Sequence, residues 1–423
     1  MESNRMSKAS ARNRQVGKPT VDDDVTLLRS VIGKGAILTA AIILLSSATT
    51  PVNAGFIYTD IADISGTSSS LNTAGVNDSG TVVFRTITGS GRTIYTGNGG
   101  ALTTVAQTGA TTLSLGFPAI ANNGTVQYST IDNSGDRRLV QSSGGVETTV
   151  FGINSDPNFA SVIPGNWISD NGAHTAFKAG LTGGGTGVFS GDGTPGGPFT
   201  AIATPANGFS TQGNQVSVNN SGVVAFQAGS QVGGSIHKGD GSGPLTTIVD
   251  SSTTVSSGET MAYVDSQPTI NNNGDVGFVG LFDGFADGGY FIGDGSALTT
   301  VLKFSELSKT VASVKSPDLN DLGVMAFLMG FTDGSEGIYL GPDLVGDKVI
   351  ETGDELFGSI VTDVDFFRGL NNNNQIAFGV ELADGSQHIV RADAVFEAAI
   401  PAPSAALLLF TALGVLFAVR RKG

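Results

Sequence analysis

No cysteine occurs in the 423 residues. That excludes disulfide bridges and any zinc or iron–sulfur site built on thiolates. Histidine is nearly absent as well: His174, His237 and His388 are the full set. They fall at unlike places in the repeating pattern described below, so nothing in the sequence brings them together on a metal or a catalytic base. They read as substitutions on surfaces and strand faces. Glutamate is scarce through the middle of the chain. Only Glu351-Thr352-Gly353-Asp354-Glu355 gathers acids, and it reads as a solvated loop. Paired carboxylates of the kind that cleave glycosides therefore have no strong candidate. No Gly-X-Ser-X-Gly elbow stands beside a plausible histidine, and no glycine turn runs into Gly-Lys-Ser/Thr. The single tryptophan, Trp167, reads as a core or edge residue rather than a platform for a sugar.

Basic charge is also short. The chain has 22 Lys and Arg against 37 Asp and Glu. The imbalance deepens once the ends are set aside, because ten of the basic residues and four of the acidic ones lie in 1–54 and 420–423. Residues 55–419 keep 12 basic and 33 acidic side chains, a net charge of −21. Such a surface repels nucleic acid and anionic lipid.

Long apolar runs are missing except at the two ends. Residues 35–47 (GAILTAAIILLSS) follow a polar, mildly basic leader, and Val52-Asn53-Ala54 then offers small residues for signal cleavage between Ala54 and Gly55. A membrane anchor is the alternative reading. At the other end Pro401-Ala402-Pro403-Ser404 precedes an apolar run, Ala405 to Val419, and the basic stop Arg420-Arg421-Lys422. The layout is that of a membrane-held sorting tail whose basic end stays inside. Three segments follow: a leader and signal over 1–54, a repeat domain over 55–396, and a tail over 397–423.

What the sequence has in abundance is one stretch, written seven times. Val218-Asn219-Asn220-Ser221-Gly222-Val223-Val224-Ala225-Phe226 is the clearest copy. The anchor positions are Gly80, Gly124, Gly172, Gly222, Gly274, Gly323 and Asn374, at intervals of 44, 48, 50, 52, 49 and 51 residues. A period of that size marks a repeat architecture. An apolar residue stands four before each anchor, and an aromatic four after it, or five after it at Phe177. The polar middle suits a tight turn, where Gly, and next to it Asn, tolerates positive φ. An apolar pair such as Ile94-Tyr95, a Gly-Asp-Gly turn and a β-branched run such as Leu298-Thr299-Thr300-Val301 complete most units. The turn acids Asp192, Asp240 and Asp294 could reach a calcium ion. The alternating acids of a calcium loop are missing, however, so turn chemistry accounts for them and no cofactor is expected.

Each unit amounts to three or four antiparallel strands, the content of one β-propeller blade. Residues 56–61 look like the strand that the seventh repeat lacks, so the ends should share a blade and close the ring. The expected fold is all-β, a seven-bladed propeller. A β-solenoid or tandem β-sandwich is the alternative.

Asn219 to Phe226 and Asn320 to Phe327 match Asn-x-x-Gly-x-x-Ala-Phe at every fixed position. Asn271 to Phe278 has Gly277 for Ala, and Asn371 to Phe378 has Asn374 for Gly. The repeats thus resemble the NxxGxxAF tandem-repeat group of bacterial "choice-of-anchor" surface proteins. The tail resembles a PEP-CTERM sorting signal, with Ala402 in the place of that motif's Glu. These resemblances imply export, a transient hold in the inner membrane, and an exosortase-like processing enzyme as partner. They imply a cell-surface or extracellular destination among extracellular polysaccharide or other surface proteins. Neither implies a reaction. The sequence-based expectation is a non-enzymatic binding or structural module. A propeller lectin or enzyme acting on extracellular polysaccharide is the alternative.

Overall fold

The computed structural model describes residues 55–395 apart from 68–73, 210–211 and 316. The expectations for the leader, the signal cleavage at Ala54 and the sorting tail lie outside the described residues. Among the described residues no helix is long and apolar enough to cross a membrane.

The chain is a seven-bladed β-propeller. Blade 1 shows the plan. A short inner strand, Gly75–Val76, turns at Gly80 into Val82–Thr88, which pairs with Gly91–Gly97, and that strand pairs in turn with Thr103–Gln107. Blades 2 to 6 repeat this over 112–152, 159–203, 212–249, 261–303 and 311–351. In blades 2, 5 and 6 the inner strand is broken in two, and both halves pair with the same neighbour. Blade 7 takes Ser359–Asp365, Gln375–Leu382 and Gln387–Val395 from the C-terminal side, and Gly55–Asp63 as its outer strand. The shared blade read from the two incomplete ends is thus present, with Gly55 opposite Val395 and Asp63 opposite His388. Tyr58 on that strand also donates its hydroxyl to the Val349 carbonyl of blade 6.

Seven hydrophobic clusters fill the seven junctions between neighbouring blades. The repeated Ala-Phe pair explains how. Side chains alternate across a strand, so adjacent residues enter opposite junctions. Phe226 packs toward blade 3, while Ala225, one residue earlier, packs toward blade 5. Phe278, Phe327 and Phe378 each face the preceding blade, and all seven repeat aromatics are at most 1% exposed. The forward-facing position must be small because the next blade presses in there. Gly277 is the extreme case: a Cβ would sit 3.0 Å from the Met325 side chain of blade 6. The apolar pair on the third strand meets the anchor aromatic across the ladder, Phe84 against Tyr95 and Phe278 against Phe291, with ring centroids 5.6 Å apart in both. In blade 4 His237 occupies this slot against Phe226, at 5.8 Å.

Candidate functional site: the anchor ring and the central channel

The anchor turns come together at one end of the channel and bind each other in a circle. Three residues before the anchor, an Asn amide does two jobs. Its Oδ1 accepts backbone N–H groups of its own turn: Asn77 from Ser79 and Thr81, Asn219 from Ser221 and Val223, Asn371 from Asn373 and Gln375. Its Nδ2 donates to the backbone of the next blade. Asn77 reaches Ala121 O at 3.1 Å, Asn219 reaches Asn271 O at 3.2 Å, and Asn271 reaches Asn320 O at 3.1 Å. Asn320 then reaches Asn371 O at 3.1 Å, and Asn371 returns to Asn77 O at 2.8 Å.

A second circle runs one residue later. The N–H of Asp78, Asn220, Asn272, Asp321 and Asn372 donates to the side-chain oxygen at the same position in the next blade. Blades 2 and 3 lack the Asn of the first circle and have Ala121 and Ser169 there. Their junctions are bridged by Asn122 N to Asp170 O at 2.6 Å and by Asn171 N to Asn220 Oδ1 at 2.8 Å. Every junction therefore carries a hydrogen bond, and the ring closes.

The anchors themselves sit at positive φ, between 74° and 87° for the glycines and 57° for Asn374. Asn374 also contributes beyond its backbone, because its Oδ1 accepts from Asn320 Nδ2 at 2.8 Å. Asn371→Ala removes an acceptor for two N–H groups and a donor at the junction that completes the circle. Buried polar groups left unpaired cost about 1–3 kcal/mol each, so this change should destabilise the fold by about 2–4 kcal/mol. Ala121→Asn, which restores the motif, should cause no loss. Denaturant unfolding measures both, and a loss under about 0.5 kcal/mol for Asn371→Ala would remove the ring from the stability account.

Below the ring the channel is filled. Arg368, itself at φ 52° and 3% exposed, lies in it. Nη1 donates to Val216 O at 3.0 Å and Nη2 to Pro268 O at 2.7 Å, while the guanidinium stacks on Trp167 at 4.6 Å. Asp318 faces the same space and accepts from Leu370 N, Thr269 Oγ1 and Leu319 N. Burial raises its carboxyl above the usual range, and the Arg368 charge pulls the other way. The free volume left in the channel is about 60 Å³. Sites for drug-sized ligands generally run to about 300 Å³ or more, several times the space left here. Acids and an aromatic do converge here, as a sugar-cleaving propeller would need. Arg368 covers the indole face, however, and no sugar ring fits.

Asp78, Asp170 and Asp321 stand in the channel mouth. Partial desolvation by the surrounding turns, then the charge of Asp321, push the Asp170 carboxyl up to about 6, although the residue keeps exposed surface at the channel mouth. A carboxyl raised on folding binds its proton more tightly in the native state. The native state therefore loses stability as pH rises from the unfolded value, about 4, through the folded one. Melting temperature should fall between about pH 4 and 6.5, and less steeply in Asp170→Asn, which keeps an oxygen for Asn272 Nδ2. Equal slopes in both proteins would show that Asp170 is not the titrating group.

The sequence candidates disperse. His174 lies in the blade 3 turn, His237 is packed against Phe209 and Phe226, and His388 pairs with Asp60 in the closing blade at 3.2 Å. The Gly-Asp-Gly acids are engaged locally. Asp192 accepts from Thr194 N, Asp240 from Ser242 N and Oγ, and Asp294 from Ser296 N and Oγ. Among the described residues no group of three or more His, Asp or Glu is placed to hold a metal ion. The acidic cluster is a correction to the solvated-loop reading. Glu351 ends a blade 6 strand and pairs with Lys309, and Asp354 pairs with Lys348 at 2.8 Å. Trp167 packs against two core clusters, in keeping with the core reading, and its remaining surface lines the channel. Arg368 and Asp318 carry no sequence signal apart from lying five or six residues before an anchor.

Neither a protein-family model nor a curated protein sequence matches the chain. Solved propellers do resemble it. The propeller domain of the Trilobed protease from Pyrococcus furiosus is 10% identical, with a TM-score of 0.49 over 82% of this chain and 100% of that one. A puromycin-hydrolyzing peptidase from Mycobacterium tuberculosis is 13% identical, with a TM-score of 0.51 over 82% of this chain. The match spans 56% of that peptidase's own length. Likeness at these identities is a likeness of fold.

Proposed function

We propose that this propeller is an exported, non-enzymatic binding or structural module of the bacterial cell surface, delivered by its PEP-CTERM-like tail. One observation carries the non-enzymatic part. The residues the chain repeats are those that join its blades, and the channel where propellers often work is filled by Arg368 and Trp167. Binding then falls to the outer walls and faces of the ring. The export part rests on the sequence at both ends. Mass spectrometry of the chain recovered from the producing cell and its medium tests it. The expected product begins at Gly55 and ends near Pro403, outside the cell. A chain retained in the membrane with Gly423 intact would replace processing by a simple anchor, and a cytoplasmic chain still carrying residues 1–54 would end the proposal. Polysaccharide turnover that disappears on changing Glu351, Asp354 or Glu355 would favour the enzymatic alternative.

A further inference from the structure

Residues 55–419 contain six arginines, and three of them line one cavity. Arg85 and Arg92 come from blade 1 and Arg137 from blade 2. The cavity has a volume of about 240 Å³ and opens between these blades. In a segment of net charge −21 this is a concentration of the rarer sign. The other three arginines each have a carboxylate nearby. Arg138 pairs with Asp132 and Asp136, Arg391 with Asp393, and Arg368 lies near Asp318. No carboxylate lines the cavity of the first three, and Arg92 and Arg137 form no ion pair among the described residues.

The geometry forces the positive groups together. Nη1 of Arg85 and Nη1 of Arg92 donate to the same carbonyl, Leu115 O, at 2.9 and 3.1 Å. The two nitrogens are therefore at most about 6 Å apart, the sum of those distances. Arg85 is 7% exposed and its guanidinium is stacked on Phe117 at 4.4 Å. Burial, then the charge of Arg92, pull it down to about 10, as expected for cations held together with little solvent. Arg92 uses only Nη1 of its guanidinium, on Ser114 Oγ and Leu115 O, which leaves its Nε and Nη2 donors available. The rest of the wall mixes hydroxyls with apolar surface: Ser129, Thr130, Phe117, Ile131 and Val162. Gly116 lets the wall pack closely on itself, since a Cβ there would come within 2.1 Å of Ser129 Oγ.

From this arrangement we infer a binding site for a small carboxylate-bearing ligand of monosaccharide size, held by Arg92 and Arg137 over the Arg85–Phe117 floor. Guanidinium groups with free paired donors match a carboxylate in shape as well as charge. Hydroxyls and apolar patches beside them match a sugar ring better than a bare ion. The surrounding negative field acts against a long polyanion, but at physiological salt it is screened within about 8 Å. A single acidic residue, free or at the end of a chain, is the ligand that satisfies both conditions.

Calorimetric titration of the full chain in neutral detergent tests it, with glucuronate, glucose and sulfate as probes at millimolar concentration. Glucuronate is expected to bind saturably and glucose to give no binding heat. Sulfate is expected to compete with glucuronate for the same arginines. Arg92→Gln and Arg137→Gln should each weaken glucuronate by about tenfold, the loss of one charge-assisted contact; melting temperature should stay unchanged in Arg137→Gln and fall slightly in Arg92→Gln, which also loses the contacts to Ser114 Oγ and Leu115 O. Arg92→Lys should recover part of the loss, since the charge stays and the fork goes. Glucuronate that fails to bind, that binds both Gln variants unchanged, or that binds no better than glucose would overturn the inference.

Discussion

A chain lacking residues 55–63 should fail to form a stable monomer. This strand adds eight paired positions to Gln387–Val395 and carries Ile61 and Ala62, with Ile64 just beyond it, into the junction between blades 7 and 1. Full burial of one large aliphatic side chain contributes about 1.5–3 kcal/mol, and a whole domain is stable by only about 5–15 kcal/mol. Losing the strand removes several such terms and also uncovers the edge of Gln387–Val395. An open edge recruits another chain, so oligomers or aggregates should replace the monomer in size-exclusion chromatography. A synthetic peptide covering 55–66 should restore monomer by adding back as a strand. A truncated protein that stays monomeric with an unchanged melting temperature would show that the ring does not need its shared blade.

The second large effect is expected at the channel plug. Arg368→Met removes the charge beside Asp318 and the donors to Val216 O and Pro268 O, and it leaves a space where the guanidinium stood. Removing one partner of a buried charged set costs about 3–5 kcal/mol. Adding Asp318→Asn should return about 1–3 kcal/mol of it, because the two groups are coupled and the amide keeps an acceptor for Leu370 N. Trp167 is the only tryptophan, so fluorescence reports the channel directly. Its emission should move toward the red in Arg368→Met as water reaches the indole face that the guanidinium covers. Unchanged emission and unchanged stability would mean that Arg368 does not plug the channel.

The fold was legible because its rules are local. Positive φ at Gly80 or Gly323, an apolar residue before the turn and an aromatic after it are written in sequence, and so is the missing strand at each end. The Ala of Asn-x-x-Gly-x-x-Ala-Phe was visible as a letter, but its reason was not. Ala225 and Gly277 are small on account of a neighbour about fifty residues away. The Asn side chains were legible as turn formers only. Their second role, donating to the next blade, needs the circle to exist before it can be seen. Arg368 and Asp318 belong to different blades and share no motif, so their meeting was not readable at all. The same holds for Arg85 and Arg92, which meet because Leu115 O lies where two strands of blade 1 reach it, and for Arg137, which blade 2 brings to the same cavity.

The repeated turns are held here to form one closed ring whose blades stand or fall together. Native-state hydrogen exchange on the chain tests this most directly, read at the N–H groups of Asp78, Asn220, Asn272, Asp321 and Asn372, which donate across junctions. A closed ring predicts that all five exchange only through global unfolding, with one common opening free energy. An open stack of repeats would instead show a gradient, with end blades opening first and cheaply and the middle blades last. That gradient, with Asp78 and Asn372 the least protected, would contradict the ring.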